Sequence, residues 1–149
     1  MEERRPQMMV VDCSFLIAGL LPDEIEEQAQ LILEDLQRGI TLAVVPSLFY
    51  QEVSNALLMA YRRKRISREV LSQYLDVVAI LPVTIDTAAA TQGNTMKTVC
   101  GLAEKHGLTT YDANYLELAM HLDLPLVTLD SDLYNAAVEV DVAYQMTTN

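Results

Sequence analysis

Short apolar runs alternate along the chain with longer segments in which apolar residues recur at helical spacing. These runs predict strands, and the first two, which are wholly apolar, predict strands that are buried within a sheet. The runs lie at Met8–Val11, Leu42–Val45, Val83–Ile85 and Leu124–Leu129, and a last edge strand is predicted over Val138–Ala143.

The segments of helical spacing lie between these strands and are bounded by capping and stop residues. The first three predicted helices run from Pro22-Asp23-Glu24 to Gly39, from Pro46 with Ser47 as its cap, and from a Ser67 cap to Pro82. A fourth follows the third strand and ends at His106, although its polar stretch around Gly93 predicts a break. The fifth begins at Thr110 or Asp112 and runs to about His121, and a short one begins at Ser131.

This alternation of strands and helices predicts an α/β fold. We expect three layers, αβα, in which helices cover both faces of a central, mostly parallel sheet. The length of 149 residues favours a single domain over residues 1–149. In such sheets functional sites form beyond the carboxyl ends of the strands.

Composition and charge narrow the possible functions. Apolar residues make up 51% of the chain and charged residues 21%, so a core can form and global disorder is excluded. The formal net charge is −11, which argues against a general polyanion binder.

The terminal segment and the cysteines indicate a compartment. Cys13 and Cys100 have no metal-ligand spacing and are too few for a disulfide framework. No apolar run reaches about 18 residues, and the first residues, 1–5, lack a signal-peptide pattern. We therefore expect a cytoplasmic protein that is not inserted in a membrane.

Three aspartates stand where an open α/β sheet places functional groups. Asp12 ends the first strand, and Asp130 ends the Leu124–Leu129 strand with Asp132 two residues later. Asp112 lies in the first turn of a helix. Each also has a purely structural interpretation, because aspartate commonly caps helices, forms turns or complements the helix dipole.

Glu52 lies early in the second predicted helix, at the margin of its apolar stripe. It is either a solvated surface acid or a group directed into a cleft.

Several carboxylates at one sheet edge would repel one another unless a divalent cation joined them. Mg²⁺ and Mn²⁺ prefer such oxygen ligands, so the predicted chemistry is metal-assisted hydrolysis of a phosphodiester. His106 and His121 are isolated near helix ends, where they suit the dipole, and they do not predict a zinc site.

Four segments taken together resemble the PIN-domain family, and within it the VapC-like toxin ribonucleases. They are VVDCS at 10–14, VPSLFYQEVSNAL at 45–57, AEKHGLTTYDA at 103–113 and LVTLDSDL at 126–133. The resemblance extends from about Met8 to Ala143. It implies a PIN-like fold and a Mg²⁺- or Mn²⁺-dependent endoribonuclease that is the toxin of a type II toxin–antitoxin pair.

The resemblance also implies roles for individual residues. Asp12, Asp112 and Asp130 match the metal ligands, and Glu52 matches the helix glutamate of the acidic site. Three auxiliary positions are implied as well. Ser14 matches a hydroxyl near the ligands, Thr128 an orienting hydroxyl and Asp132 an additional acid.

Five of the ten positive charges fall within seven residues. This basic patch consists of Arg62, Arg63, Lys64, Arg65 and Arg68. It is either a solvated helix end or a surface that contacts RNA phosphates. With few aromatic residues, the chain is expected to recognise RNA by shape and backbone.

Protein partners are expected on two grounds. Antitoxins of the resembled family wrap the toxin and insert a basic side chain among its acids, which an anionic surface would favour. Part of the apolar face of the second and third predicted helices could form a homodimer or antitoxin interface, although Leu57 and Leu71 are better explained as core. The apolar residues of that face are Leu48, Phe49, Leu57, Leu58, Met59, Leu71, Tyr74 and Leu75.

Two other functional classes are possible on the residues. One is a non-catalytic PIN-fold module that binds protein or RNA. The other is a phosphoacceptor domain, which the sequence disfavours because no lysine follows Lys105 and because Ser14 stands where an Asp-x-Asp phosphatase needs an acid.

Overall fold

A four-stranded parallel sheet forms the centre of the protein. The computed structural model describes residues 7–23 and 26–145. The strands are β1 (Gln7–Val11), β2 (Thr41–Pro46), β3 (Val83–Asp86) and β4 (Leu126–Val127), in the spatial order β3-β2-β1-β4. All three pairings are parallel, and β1 at the centre pairs with both β2 and β4. The predicted α/β class with a parallel sheet is confirmed.

Helices flank this sheet. The described residues form α1 (Cys13–Leu20), α2 (Glu27–Gln37), α3 (Phe49–Arg62), α4 (Arg68–Ile80), α5 (Ala88–Thr91), α6 (Gly93–His106), α7 (Thr110–Leu122) and α8 (Ser131–Glu139). The described part of the chain, 7–23 and 26–145, contains no helix with the length and hydropathy needed to cross a bilayer.

The core lies between the central strands and the helices packed on them. Val10 on β1 and Val45 on β2 are fully buried, as the apolar runs predict for strands covered on both faces. The largest fully buried side chains are Tyr115, Phe15 and Phe49, which come from three different helices. The packing of these helices brings the ends of β1 and β4 close to α3 and α7.

The predicted last strand over Val138–Ala143 is wrong. Val138 lies within α8, whose buried stripe of Leu133, Ala136 and Ala137 keeps the chain helical up to Glu139. Asp141 then adopts a left-handed conformation, with φ of 62°, and turns the chain. Only an isolated bridge between Ala143 and Leu126 remains. The Leu124–Leu129 strand is likewise reduced to Leu126–Val127.

Helix α1 is absent from the sequence prediction. It begins directly after β1 and buries four consecutive residues, 15–18, so its sequence shows no helical periodicity. The helix predicted from Pro22 begins instead at Glu27, where the Glu26 carboxylate accepts a hydrogen bond from the Ala29 amide at 2.8 Å. Glu24 and Ile25, at its predicted start, lie outside the described residues.

Three other predicted boundaries are confirmed. The Ser67 hydroxyl accepts a hydrogen bond from the Val70 amide at 3.2 Å and caps α4. Gly107 ends α6 in the left-handed conformation, and Gln92 separates α5 from α6, at the predicted break. Ser47 is not a cap, because the chain makes a further turn after β2 and α3 begins only at Phe49.

Candidate active site

Asp12 leaves the carboxyl end of β1 and is buried at the start of α1. Its Oδ2 atom accepts two hydrogen bonds, from the Ser14 hydroxyl at 2.6 Å and from the Thr128 hydroxyl at 2.8 Å. Burial raises the pKa of the Asp12 carboxyl above its usual value, and these two hydrogen bonds oppose that rise.

The two hydroxyl groups are themselves held by the chain that follows β4. The Leu129 amide donates to Ser14 Oγ at 3.2 Å, and the Asp130 amide donates to Thr128 Oγ1 at 3.0 Å. Because each hydroxyl oxygen already accepts a backbone hydrogen bond, its proton is directed to Asp12. The network therefore fixes Asp12 between the ends of two neighbouring strands.

Glu52 lies in the first turn of α3 and is half-buried. Its Oε1 atom accepts a hydrogen bond from the Tyr115 hydroxyl at 2.6 Å. Burial raises the pKa of the Glu52 carboxyl, the Tyr115 hydrogen bond lowers it, and the charges of Asp12 and Asp112 raise it again. Sequence reasoning missed Tyr115, although its position three residues after Asp112 places both on one face of a helix.

Asp112 lies in the first turn of α7, where the Thr109 hydroxyl accepts a hydrogen bond from its amide at 3.1 Å. Burial raises the pKa of the Asp112 carboxyl, and the charges of Asp12 and Asp130 raise it further.

Asp130 caps α8, because its Oδ1 atom accepts a hydrogen bond from the Leu133 amide at 2.8 Å. The capping interpretation of Asp130 is thus confirmed, and the same side chain also faces the other acids.

These four carboxylates line one cleft of about 500 Å³. Its remaining wall consists of Cys13, Ser14, Ile17, Ala18, Ala56 and Leu129. Thr128 is buried behind Asp12. Asp132 is exposed in the first turn of α8 and is not part of the cleft wall, although its charge contributes to the raised pKa of Asp112.

The donor set of the cleft fits a hard divalent cation. It offers carboxylate and hydroxyl oxygens, and the charged groups that perturb the pKa values of Asp12, Glu52 and Asp112 are all carboxylates. Among residues 7–23 and 26–145, however, no three His, Cys, Asp or Glu side chains stand close enough to enclose a metal. The arrangement therefore suits Mg²⁺ or Mn²⁺ held by one or two carboxylates and otherwise by water.

Neither histidine lies in the cleft wall. His106 ends α6 as predicted, but its side chain is buried and its Nδ1 atom lies 3.0 Å from Oε2 of Glu139 on α8. His121 lies in the last turn of α7. The cleft wall thus holds no imidazole, which is the nitrogen ligand typical of catalytic zinc sites.

The basic patch is not part of the cleft. It lies at the end of α3, whereas Glu52 lies at the start, and ten residues at about 1.5 Å each separate Arg62 from Glu52 by about 15 Å. Arg65 is tied to Asp23 by two hydrogen bonds, at 2.8 and 2.9 Å. The remaining side chains, of Arg62, Arg63, Lys64 and Arg68, are exposed.

The apolar face of the second and third predicted helices is divided between core and surface. Phe49, Leu57 and Leu71 are buried, so the core interpretation of Leu57 and Leu71 is confirmed. Leu48, Leu58 and Tyr74 are partly buried against the same core, and Met59 is also partly buried. Leu75 is exposed and lines a groove between α3 and α4 together with Tyr50.

Comparison with known proteins places this geometry in a family. The family model for the PIN domain matches residues 9–139, a span that includes all four cleft carboxylates. The chain belongs to the PIN-domain family. It is 32% identical over 125 residues to a protein named Ribonuclease VapC3 from Pyrobaculum aerophilum, covering 84% of this chain and 91% of that relative.

A solved structure agrees with the fold of this PIN domain. The crystal structure of PAE2754 from Pyrobaculum aerophilum superposes with a TM-score of 0.64 at 26% sequence identity. The match covers 88% of this chain and 79% of the solved one. The resemblance inferred from the four sequence segments is therefore confirmed.

Proposed function

We propose that this chain is a metal-dependent endoribonuclease and the toxin of a type II toxin–antitoxin pair, acting as a single domain over residues 1–149. The observation that carries the proposal is the convergence of four carboxylates on one cleft of a PIN domain. They come from separate places in the fold: the end of β1, the start of α3, the start of α7 and the start of α8. The VapC3 relative, which is named a ribonuclease, supports RNA as the substrate.

Asp12, Asp112 and Asp130 are the residues that would hold Mg²⁺ or Mn²⁺, one or two of them directly and the others through its water ligands. When bound, the cation would neutralise charge on the phosphodiester and make water a better nucleophile. The chain itself fixes Asp12 through the hydroxyls of Ser14 and Thr128. Glu52, whose pKa is raised, is suited to accept a proton at the oxygen that Tyr115 does not occupy.

The partners follow from the distribution of charge. RNA would reach the cleft along the exposed part of the basic patch, since the rest of the surface is acidic. An antitoxin with a basic segment would complement the net charge of −11 and the cleft acids.

The exposed part of the α3–α4 face, around Tyr50 and Leu75, is our candidate for a homodimer contact. Such an enzyme would act in the cytoplasm.

The test compares cleavage of structured RNA by the wild type, Asp12→Asn and Asp112→Asn in Mn²⁺, and by the wild type in excess EDTA. We expect each variant to lose at least about 100-fold in kcat/KM, and EDTA to abolish cleavage. The matched control is Asp123→Asn, because Asp123 ends the same helix as Asp112, far from the cleft, in a left-handed conformation that asparagine tolerates.

Far-UV circular dichroism of each variant verifies that the fold is retained. Cleavage by both cleft variants at the rate of Asp123→Asn would contradict a catalytic role for the acids. The alternative would then be a non-catalytic PIN module that binds protein or RNA.

A further inference from the structure

The hydroxyl of Tyr115 is a buried polar group that makes its hydrogen bond inside the candidate active site. The Tyr115 side chain has no exposed surface, and it packs within the main hydrophobic core. Within the described residues, its hydrogen bond is the one that it donates to Glu52 Oε1 at 2.6 Å. Its length is that of a strong bond from a hydroxyl to a carboxylate.

The two residues come from elements that are distant in sequence. Tyr115 lies on α7 and Glu52 on α3, and 63 positions separate them. Tyr115 follows Asp112 by three positions, so one face of α7 presents Asp112 to the cleft and the Tyr115 hydroxyl to Glu52. The geometry of α7 therefore couples the positions of two cleft carboxylates.

The tyrosine is a fixed donor. Burial raises the pKa of the Tyr115 hydroxyl far above its usual value, and the bond to the Glu52 carboxylate raises it further. The hydroxyl consequently keeps its proton at any working pH. The rigid ring, enclosed by the core, has no room to follow Glu52 if the glutamate rotates away.

Glu52 needs such a restraint. Its half-buried carboxylate stands near Asp12 and Asp112, and their like charges raise its pKa. The same repulsion favours rotation of the Glu52 side chain towards solvent. Resting on the function proposed above, we propose that Tyr115 is a positioning residue, which holds Oε1 of Glu52 and keeps its other carboxylate oxygen available in the cleft. A bond that merely satisfied a buried tyrosine would predict no effect on the chemical step.

The experiment uses the full chain and deletes single hydroxyl groups. Tyr115→Phe preserves the ring and its packing, and Tyr144→Phe is the matched control. Tyr144 is partly buried against the core and lies outside the cleft wall, and its hydroxyl makes no hydrogen bond within the described residues. RNA cleavage in Mn²⁺ gives kcat and KM, and crystal structures of the metal-free variants give the position of Glu52.

We expect Tyr115→Phe to lower kcat about 10- to 100-fold and to leave KM within about threefold of the wild-type value. Losses of this size are typical when a hydrogen bond that orients an active-site side chain is removed. In the metal-free crystal structure the Glu52 carboxylate should leave its position. Glu52→Gln should also lower kcat, and adding Tyr115→Phe to it should cost less than about threefold more, because the two changes interrupt one interaction.

Two results would overturn the positioning role: a kcat of Tyr115→Phe equal to that of Tyr144→Phe, or a Glu52 carboxylate that stays in place without the hydroxyl. Either result leaves the nuclease proposal intact if the wild type cuts RNA. Conversely, a wild type that cuts no RNA contradicts the proposed function, and the metal-free structures still decide whether Tyr115 positions Glu52.

Discussion

At the residue scale, the carboxyl groups of Asp12, Glu52 and Asp112 have pKa values raised above their usual range. Burial is the largest cause for Asp12, Glu52 and Asp112, and the charges of neighbouring acids add to it. An ionised carboxylate placed there without a counter-ion costs free energy. The candidate site is thus a source of instability that a bound cation would relieve.

Asp112→Asn is expected to raise the free energy of unfolding of the metal-free protein at pH 7. The pKa of Asp112 is raised by folding, so the folded state binds more protons than the unfolded state above pH 3.8, and stability falls as the pH rises through the raised value. The neutral amide removes this loss. Because Asp112 is partly exposed, the gain should stay below about 1 kcal/mol. Urea unfolding between pH 3 and pH 8 measures it.

The pH profile distinguishes a stabilisation that comes from removing the Asp112 charge from one that does not depend on protonation. The advantage of Asp112→Asn should disappear below pH 3.8, where the carboxyl is protonated in both states. Addition of Mn²⁺ should reverse the order, because only the wild type keeps the full set of ligands. A gain that is equal at pH 3 and pH 7 would contradict the electrostatic explanation.

The residues of the site differ in how far the sequence could predict them. Asp12, Asp112 and Asp130 stand beside strand ends or helix starts, so local pattern alone marked them. The hydrogen-bond partners of the cleft acids do not have this property: the family resemblance implied an orienting role for Thr128, and nothing in the sequence marked Tyr115. Tyr115 meets Glu52, and Thr128 meets Asp12, across 63 and 116 positions, and such contacts depend on how the elements pack.

At the scale of elements, local chemistry predicted some of the boundaries that a side chain or a glycine sets, but not the start of α2, which the Glu26 carboxylate caps. Ser67 and Gly107 were identified correctly because their roles depend on neighbouring residues alone. Helix α1 was missed because its consecutive apolar residues reflect burial rather than helical periodicity. The final strand was wrongly predicted because Val138 continues the buried face of α8, which is decided by packing.

Ser67→Ala is expected to destabilise the protein by about 1 kcal/mol. The Ser67 hydroxyl satisfies the Val70 amide at the start of α4, and alanine leaves that amide to water alone. Thermal or urea unfolding gives the difference in free energy.

A second serine of the same segment provides the control. Ser72 is exposed in the interior of α4, so Ser72→Ala removes no cap and should be neutral or slightly stabilising through helix propensity. Equal losses in the two variants would show that Ser67 has no capping role.

At the scale of the whole molecule, charge is distributed unevenly. The net charge is −11, yet half of the ten positive charges are concentrated at the end of α3, in the turn after it and at the first residue of α4. Arg65 in this patch is engaged with Asp23 and ties distant parts of the chain together. Its neighbours are exposed and available to phosphates.

The triple variant Arg62→Gln, Arg63→Gln and Arg68→Gln is expected to weaken RNA binding without changing cleavage at saturating RNA. Fewer phosphate contacts mean that fewer counter-ions are released when RNA binds. The magnitude of the slope of log affinity against log salt should therefore fall by about 2. Arg65 is left in place because its loss would disturb the pair with Asp23. Filter binding over a salt series, with a cleft variant that does not cut, provides the measurement.

A second triple variant separates a local patch from overall charge. Arg38→Gln, Lys97→Gln and Lys105→Gln remove the same number of positive charges from exposed positions outside the patch. If overall repulsion by an acidic protein governs binding, both triple variants lose affinity equally and with the same salt slope. A local RNA surface requires that only the patch variant changes slope, because the Debye length of about 10 Å at 0.1 M salt screens distant charges from the bound strand.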